Sequence, residues 1–250
     1  MIDHLRADQQ PAVDSKFFQR NVVEVAPALI GCYVFTNIGG ERTGGMIIET
    51  EAYDENDPFA HCHKCASDYW RKQSEPMKFE PGYVYLYPSG QLFCLNFVCD
   101  RKGFGSAVLI RAILPTCHPE IMLRRRRIAN SPQKYLEDTK PWETQLCNGP
   151  AVLCEALGIN EQHYAKSKDG MSLFDADSPF KIHEALEKPK SISGIGIGLD
   201  KQYERWKKQQ SDCATAAEIN RAAKQKFRWG AEQYRNHCRH PLFSQEWHDV

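Results

Sequence analysis

The chain has 250 residues, 42% hydrophobic and 26% charged, enough to bury a sizeable core and unlike a fibrous, collagen-like or wholly disordered protein. No apolar stretch approaches the roughly 20 residues of a membrane span, and the start MIDHLRADQQPAVD lacks the basic and apolar regions of a secretory signal. The expectation is an aqueous intracellular location, bacterial cytoplasm or eukaryotic nucleus, with no membrane partner and ten irregularly spaced cysteines that are mostly reduced. Thirty-two basic residues balance thirty-two acidic ones, so only the distribution of charge informs.

Taken in chain order, residues 1–14 read as a flexible arm and 15–250 as one catalytic domain. Apolar spacing over 17–30 predicts a helix ended by Gly31. Short β-branched or aromatic runs at 32–36, 45–53, 83–87, 92–98 and 107–114 predict strands bounded by Gly, Pro or Asp. Residues 119–127 and 150–157 read as helices, the second opened by Gly149-Pro150 and closed by Gly158. A glycine-punctuated strand follows at 192–199. The Ala-rich, charged stretch 212–236 reads as a long surface helix capped by Asp212. Without regular βαβ alternation, the order favours a single α+β domain around a largely antiparallel, curved sheet surrounded by helices.

The neutral total hides opposed segments. Residues 41–60 hold six acids and one base, whereas 101–135 hold eight bases and one acid. The run Arg124, Arg125, Arg126 and Arg127 fits either a solvated helix face or nucleic-acid contact. On the strand MIIETEAY, strand alternation puts Ile47, Glu49, Glu51 and Tyr53 on one face and Met46, Ile48, Thr50 and Ala52 on the other. Tyr83, Tyr85 and Tyr87 likewise share a face, suited either to the core or to stacking on a flat, cationic ligand. Asn96 and Arg111 are polar residues inside apolar strands and require partners, from protein or ligand. With His61, these groups make a plausible pocket for a planar heterocycle.

The segments VAPALIG (25–31), IIETEAY (47–53), DPFAH (57–61), MKFEPG (77–82), FCLN ending at Asn96, VLIRA (108–112) and CNGPAVLCEALGI (147–159) together resemble the alkyladenine DNA glycosylase family, the mammalian-type 3-methyladenine DNA glycosylases. The resemblance covers about residues 17–160. It implies a monofunctional glycosylase without a cofactor, acting as a monomer on double-stranded DNA that contains damaged purines. Such an enzyme rotates an alkylated, or deaminated, purine out of the duplex and hydrolyses its N-glycosidic bond with an activated water. By the same resemblance Glu51 is the general base and Arg111 positions the water and a neighbouring phosphate. Tyr53, His61 and Tyr87 hold the extruded base, and Asn96 narrows the pocket against the 2-amino group of guanine.

The departures are local. The chain reads YLYPSGQL, one residue shorter than the family pattern, so Ser89 falls where an aromatic wedge is expected and Leu92 or Pro88 is a substitute. Gln73-Ser74, Val152 and Leu114 replace the usual residues of their motifs. Residues 202–240, read as a divergent helical segment, match poorly, although Phe227-Arg228-Trp229 and Pro241-Leu242-Phe243-Ser244 resemble the family's last pieces. The run His61-Cys62-His63-Lys64-Cys65 offers metal-ligand types, but no second C-x2-C completes a structural zinc site, and no metal is expected. Two other readings fit the same residues: a catalytically silent nucleic-acid-binding protein, and a hydrolase of free nucleosides.

Overall fold

The computed structural model describes residues 7, 9–127, 145–194, 213–238 and 248–249. Within the stretch expected to be an arm, Val13 is buried and its N–H donates to the Ile182 carbonyl at 3.0 Å. The helix expected over 17–30 is divided into α1 (Ser15–Phe18) and α2 (Val22–Ala28). Asp14 and Asn21 each accept a backbone N–H at the head of their own helix, and Asn21 in the middle of the run starts a helix rather than continuing one.

After Gly31 comes β1 (Tyr33–Ile38), which turns through Gly39 and Gly40 into β2 (Glu41–Asp54). Both turn glycines have positive φ, 66° and 74°, the backbone a two-residue hairpin loop demands. The later strands are β3 (Val84–Ser89), β4 (Leu92–Val98), β5 (Ser106–Cys117), β6 (Phe180–His183), β7 (Ser191–Gly194), β8 (Arg228–Ala231) and β9 (His248–Asp249). They form one antiparallel sheet in the order β3-β4-β5-β2-β8-β7-β9, with β1 also paired to β2 and β6 to β1. β5 lies along β2 from Gly44 to Asp54, while β1 pairs with residues 41–46 of β2 and β8 with residues 49–51. The sheet therefore branches at β2 and curls around it. This is the mixed α+β, largely antiparallel architecture that the order of elements predicts.

One face of the sheet carries the main core. Ile47, Ile48, Leu86, Leu95, Phe97 and Ile110 pack there with Val25 and Leu29, and Thr50 donates to the Ala26 carbonyl at 2.9 Å. Two further helices, α3 (Asp68–Gln73) and α4 (Pro119–Arg125), flank the sheet, followed by α5 (Pro150–Ala156) and α6 (Glu161–Asp169). The opposite face carries a smaller cluster of Ala60, Cys62, Met77, Tyr85, Val98 and Ala107, with Tyr53, Tyr83 and Tyr87 against it. From Glu49 onward strand alternation separates the main core from a face furnished with phenols and charges; Ile47, expected on the face of Glu49 and Glu51, instead joins Ile48 in the core, because the register shift at Ile48 breaks the period of two.

The expected long helix over 212–236 is not what forms. Only α7 (Ala216–Ala222) is α-helical, capped by Thr215, whose hydroxyl accepts from Glu218 N–H while the Glu218 carboxylate accepts from Thr215 N–H; Asp212 lies outside the described residues. Residues 228–231 instead enter the sheet as β8 and are buried. The short run Arg-Trp-Gly-Ala gains more by covering the edge of β2 than helix propensity can offer, since propensity differences are only tenths of a kcal/mol per residue. Of the strand expected at 192–199, residues 195–199 lie outside the described residues.

Candidate active site

The geometry begins with two compensating bulges. Ile47 pairs with Ile113 and Glu49 with Ala112, leaving Ile48 extra on β2; Thr50 then pairs with Ile110, leaving Arg111 extra on β5. A bulge re-aims a side chain, and Arg111 turns to the acidic face. Its Nε donates to Glu49 Oε1 at 2.7 Å and its Nη1 to Glu51 Oε2 at 2.8 Å. The bulged backbone is held by Gly149, whose N–H donates to the Arg111 carbonyl at 3.0 Å. Gly149 adopts φ 127°, a conformation strained for other residues, which gives the NGP block a physical purpose.

Glu49 and Glu51 are 1% and 3% exposed, so each needs full compensation. Tyr53 donates its hydroxyl to Glu51 Oε2 at 2.7 Å. Arg228, opposite Glu51 in the β2–β8 register, donates Nε to Glu49 Oε1 at 2.5 Å and pairs with the same oxygen through a second guanidinium nitrogen. Two buried carboxylates and two arginines make a neutral square. Burial works against the charge on Arg111, but Glu51 and then Glu49 outweigh it and raise its pKa. Burial, and then Glu51, pushes the Tyr53 phenol well up, so it stays a donor. Arg111 and Tyr53 converge on Oε2, and neither bonds Oε1 of Glu51.

Across the face stands an aromatic wall. His61 stacks on Tyr87 with centroids 4.7 Å apart and on Trp70 at 4.7 Å, while Trp70 lies 5.6 Å from Tyr87. The DPFAH segment delivers His61 through a turn in which Asp57 Oδ1 accepts from Phe59 N–H at 2.9 Å. Burial pushes the His61 imidazole down to about 4 and the Asp57 carboxyl up to about 7, so His61 is uncharged at neutral pH. Asn96, on β4, donates to the Tyr85 and Cys94 carbonyls at 3.1 Å each. That fixes which way its amide faces, because both partners are acceptors. Tyr53 and Tyr87 pack against the same small cluster, which brings the acid, the phenols and the imidazole to one face.

Sequence reasoning placed Glu49 on that face without assigning it a partner, met Arg228 and Cys94 only inside the Phe227-Arg228-Trp229 and FCLN pieces without giving them a role, and missed Trp70. Arg228 lies 179 residues from Glu49, and no local pattern announces such a pair. Trp70 carried the one available signal, an indole within a short polar segment. Burial pushes the Cys94 thiol up to about 11, against the pull of a hydrogen bond with Ser89; Arg111 and Glu51 are also close enough to act on it.

The residues expected to touch DNA are spread out. Ser89 and Leu92 face each other across the β3–β4 hairpin, with Gly90 between them at φ 65°. Arg125 is 14% exposed and donates to Thr43 Oγ1 at 2.9 Å, the Ile38 carbonyl at 3.1 Å and the Ala156 carbonyl at 3.2 Å. Arg126 donates to the Gln145 and Leu146 carbonyls at 2.6 and 2.8 Å. Arg124 and Arg127 are exposed, and Arg124 pairs with Glu41. Glu41 opens β2 ten residues before Glu51, roughly 30 Å of extended strand.

In the His61 to Cys65 run, His61 is stacked, Cys62 lies 3.6 Å from the Gly105 carbonyl, and His63 Nδ1 accepts from Cys65 N–H at 3.1 Å. Cys65 forms a disulfide with Cys213, while the other eight cysteines are free, all but Cys238 buried. Among the described residues no three His, Cys, Asp or Glu side chains are grouped to hold a metal ion, and no helix is long and apolar enough to cross a membrane.

The methylpurine-DNA glycosylase family model matches residues 16–211. A protein of Rhodopseudomonas palustris strain BisB18, provisionally named a 3-methyladenine DNA glycosylase, is 39% identical over 195 residues, 78% of this chain and 84% of that protein. Relatives carrying the same provisional name in Nitrosospira multiformis and Rhizobium meliloti are 35% and 36% identical, each over 77% of this chain and over 84% and 88% of their own lengths.

Proposed function

The chain belongs to the methylpurine-DNA glycosylase family, and we propose that its Glu51 cluster is the hydrolytic centre that releases an alkylated purine from duplex DNA. The observation that carries this reading is the buried Glu51 carboxylate, tied through Oε2 to Arg111 and Tyr53 and left unbonded by both at Oε1. A water held on Oε1 lies beside an aromatic wall suited to a flat base. The target bond is hidden in the stacked duplex, so the nucleotide must first be rotated out.

Chemistry then follows from charge. As the N-glycosidic bond breaks, its electron pair leaves with the base and positive charge develops on the sugar. The Glu51 carboxylate stabilises that charge and takes a proton from the attacking water. A methylated purine such as 3-methyladenine is cationic, leaves as a neutral base without an added proton, and stacks favourably on Tyr53 and Tyr87. Neutral His61 does not repel it. Arg111 holds Glu51 and a nearby phosphate, Asn96 sets the pocket's polar edge, and the exposed Arg124 and Arg127 contact the backbone further along the duplex. The groups bonded to Glu51 are an arginine and a phenol, not a lysine amine, so the product is an abasic site without strand cleavage.

The test is single-turnover base release from duplexes carrying 3-methyladenine or hypoxanthine. Glu51→Gln is expected to lower release at least ~100-fold, a typical contribution of a general base, while DNA binding persists. Release by Glu51→Gln at the wild-type rate overturns the assignment. Tight binding by the wild type with no release from either duplex favours a silent binding protein, and release from the free nucleoside alone favours a nucleoside hydrolase.

A further inference from the structure

Extruding a nucleotide leaves a gap in the stack, and an apolar or aromatic side chain inserted there holds the duplex open. The hairpin tip beside Tyr87 offers little for this purpose. Its turn residues are Gly90 and Gln91, Ser89 carries only a short hydroxyl, and Leu92 is half-buried.

The adjoining helix α3 offers more. Tyr69 is 57% exposed, the most exposed large hydrophobic side chain among the described residues. It stands edge-on to Trp70 with centroids 4.7 Å apart at 72°, and Trp70 stacks on His61. A continuous aromatic column therefore runs from the pocket wall at Tyr87 and His61, through Trp70, to a ring in solvent. Next to it, Arg71 and Lys72 are exposed. Arg71 also lines a cleft of about 550 Å³, together with Lys64, Lys78, Arg221, Glu55 and Glu218.

We infer that Tyr69, braced by Trp70, is the side chain that enters the duplex as the target base leaves. The inference rests on the glycosylase reading and adds a positioning residue to it. Tyr69 contacts neighbouring bases rather than the reacting atoms, so its contribution appears only where a stack has to be opened.

Base release is measured under single-turnover conditions from a duplex and from a single strand carrying the same lesion, with 2-aminopurine beside the lesion to report unstacking. Tyr69→Ala is expected to slow release from the duplex about 10- to 100-fold, the scale of one base–aromatic stack, to change the single-strand rate less than about threefold, and to reduce the 2-aminopurine signal. Tyr69→Phe, which keeps the ring, restores all three. An exposed ring is not needed for folding, and an unchanged melting curve for Tyr69→Ala checks this. Equal duplex rates for wild type and Tyr69→Ala, or equal losses on duplex and single strand, overturn the inference and leave the glycosylase reading standing. Duplex-selective loss in Leu92→Ala instead moves the wedge to the hairpin. Wild-type protein that releases nothing from either substrate removes both readings.

Discussion

At the scale of single residues, the stability of the site turns on Glu49, whose Oε1 serves both Arg111 and Arg228. Burial, and then the nearby Arg111, pushes Arg228 below the usual arginine range, so it is held there by its carboxylate rather than by comfort in a dry interior. Arg228→Met leaves two buried carboxylates to one arginine. Breaking a buried pair from one side costs about 3–5 kcal/mol, and urea denaturation is expected to show a loss of that order. The double variant Glu49→Gln/Arg228→Met removes both charges and should recover much of it. A double variant no better than the single one means that the ion pair is not what Arg228 supplies. Arg228→Met should also slow base release, because Arg111 is then drawn to Glu49 at the expense of Glu51.

At the scale of elements, the turn from Asp57 to His61 carries two buried titrations of opposite sign. His61 falls from 6.5 to about 4 in the fold, so between these values the unfolded chain binds more protons and stability rises with pH. Asp57 rises from 3.8 to about 7, so over that window the folded chain binds more protons and stability falls as pH increases. The two oppose each other between about pH 4 and 6.5, and the wild-type melting temperature should be comparatively flat there. Asp57→Asn should give a melting temperature that climbs with pH across this range, and His61→Gln one that declines. Parallel profiles for the two variants contradict the opposed burial. The turn is also tied to the segment leading into α7 by the Cys65–Cys213 disulfide, which closes 148 residues of sequence; chain entropy makes such long closures the effective ones.

For the whole molecule, a net charge of zero means that DNA affinity depends on where the free cations sit. Arg125 is committed to Thr43, Ile38 and Ala156, joining β1, β2 and α5. Arg125→Ala should therefore destabilise the fold by about 2 kcal/mol and leave the salt dependence of DNA binding unchanged. Lys72→Ala, in the exposed patch beside Tyr69, should leave stability alone and reduce the slope of log K against log salt by roughly one unit, the contribution of one phosphate contact. A reduced slope for Arg125→Ala with normal stability would place the arginine run on the duplex.

The sequence by itself determined the alternation on β3 and on β2 from Glu49 onward, but not at Ile47, which the bulge at Ile48 leaves in the main core beside Ile48. A period of two is a local property, and it put Glu51 and Tyr53 on one face and Tyr83, Tyr85 and Tyr87 on another. The motif blocks likewise identified the family from short-range patterns. Only the tertiary structure decided the rest. The bulge that turns Arg111 toward the two carboxylates depends on pairing between strands some 60 residues apart. Arg228 reached Glu49 because four residues of an Ala-rich tail found an open sheet edge, where burial outweighed helix propensity. Half of the arginine run became internal struts because the carbonyls they satisfy come from other elements. Local spacing dictates which face a side chain takes, but a buried charge is settled by its partner, and here the partners are distant in the chain.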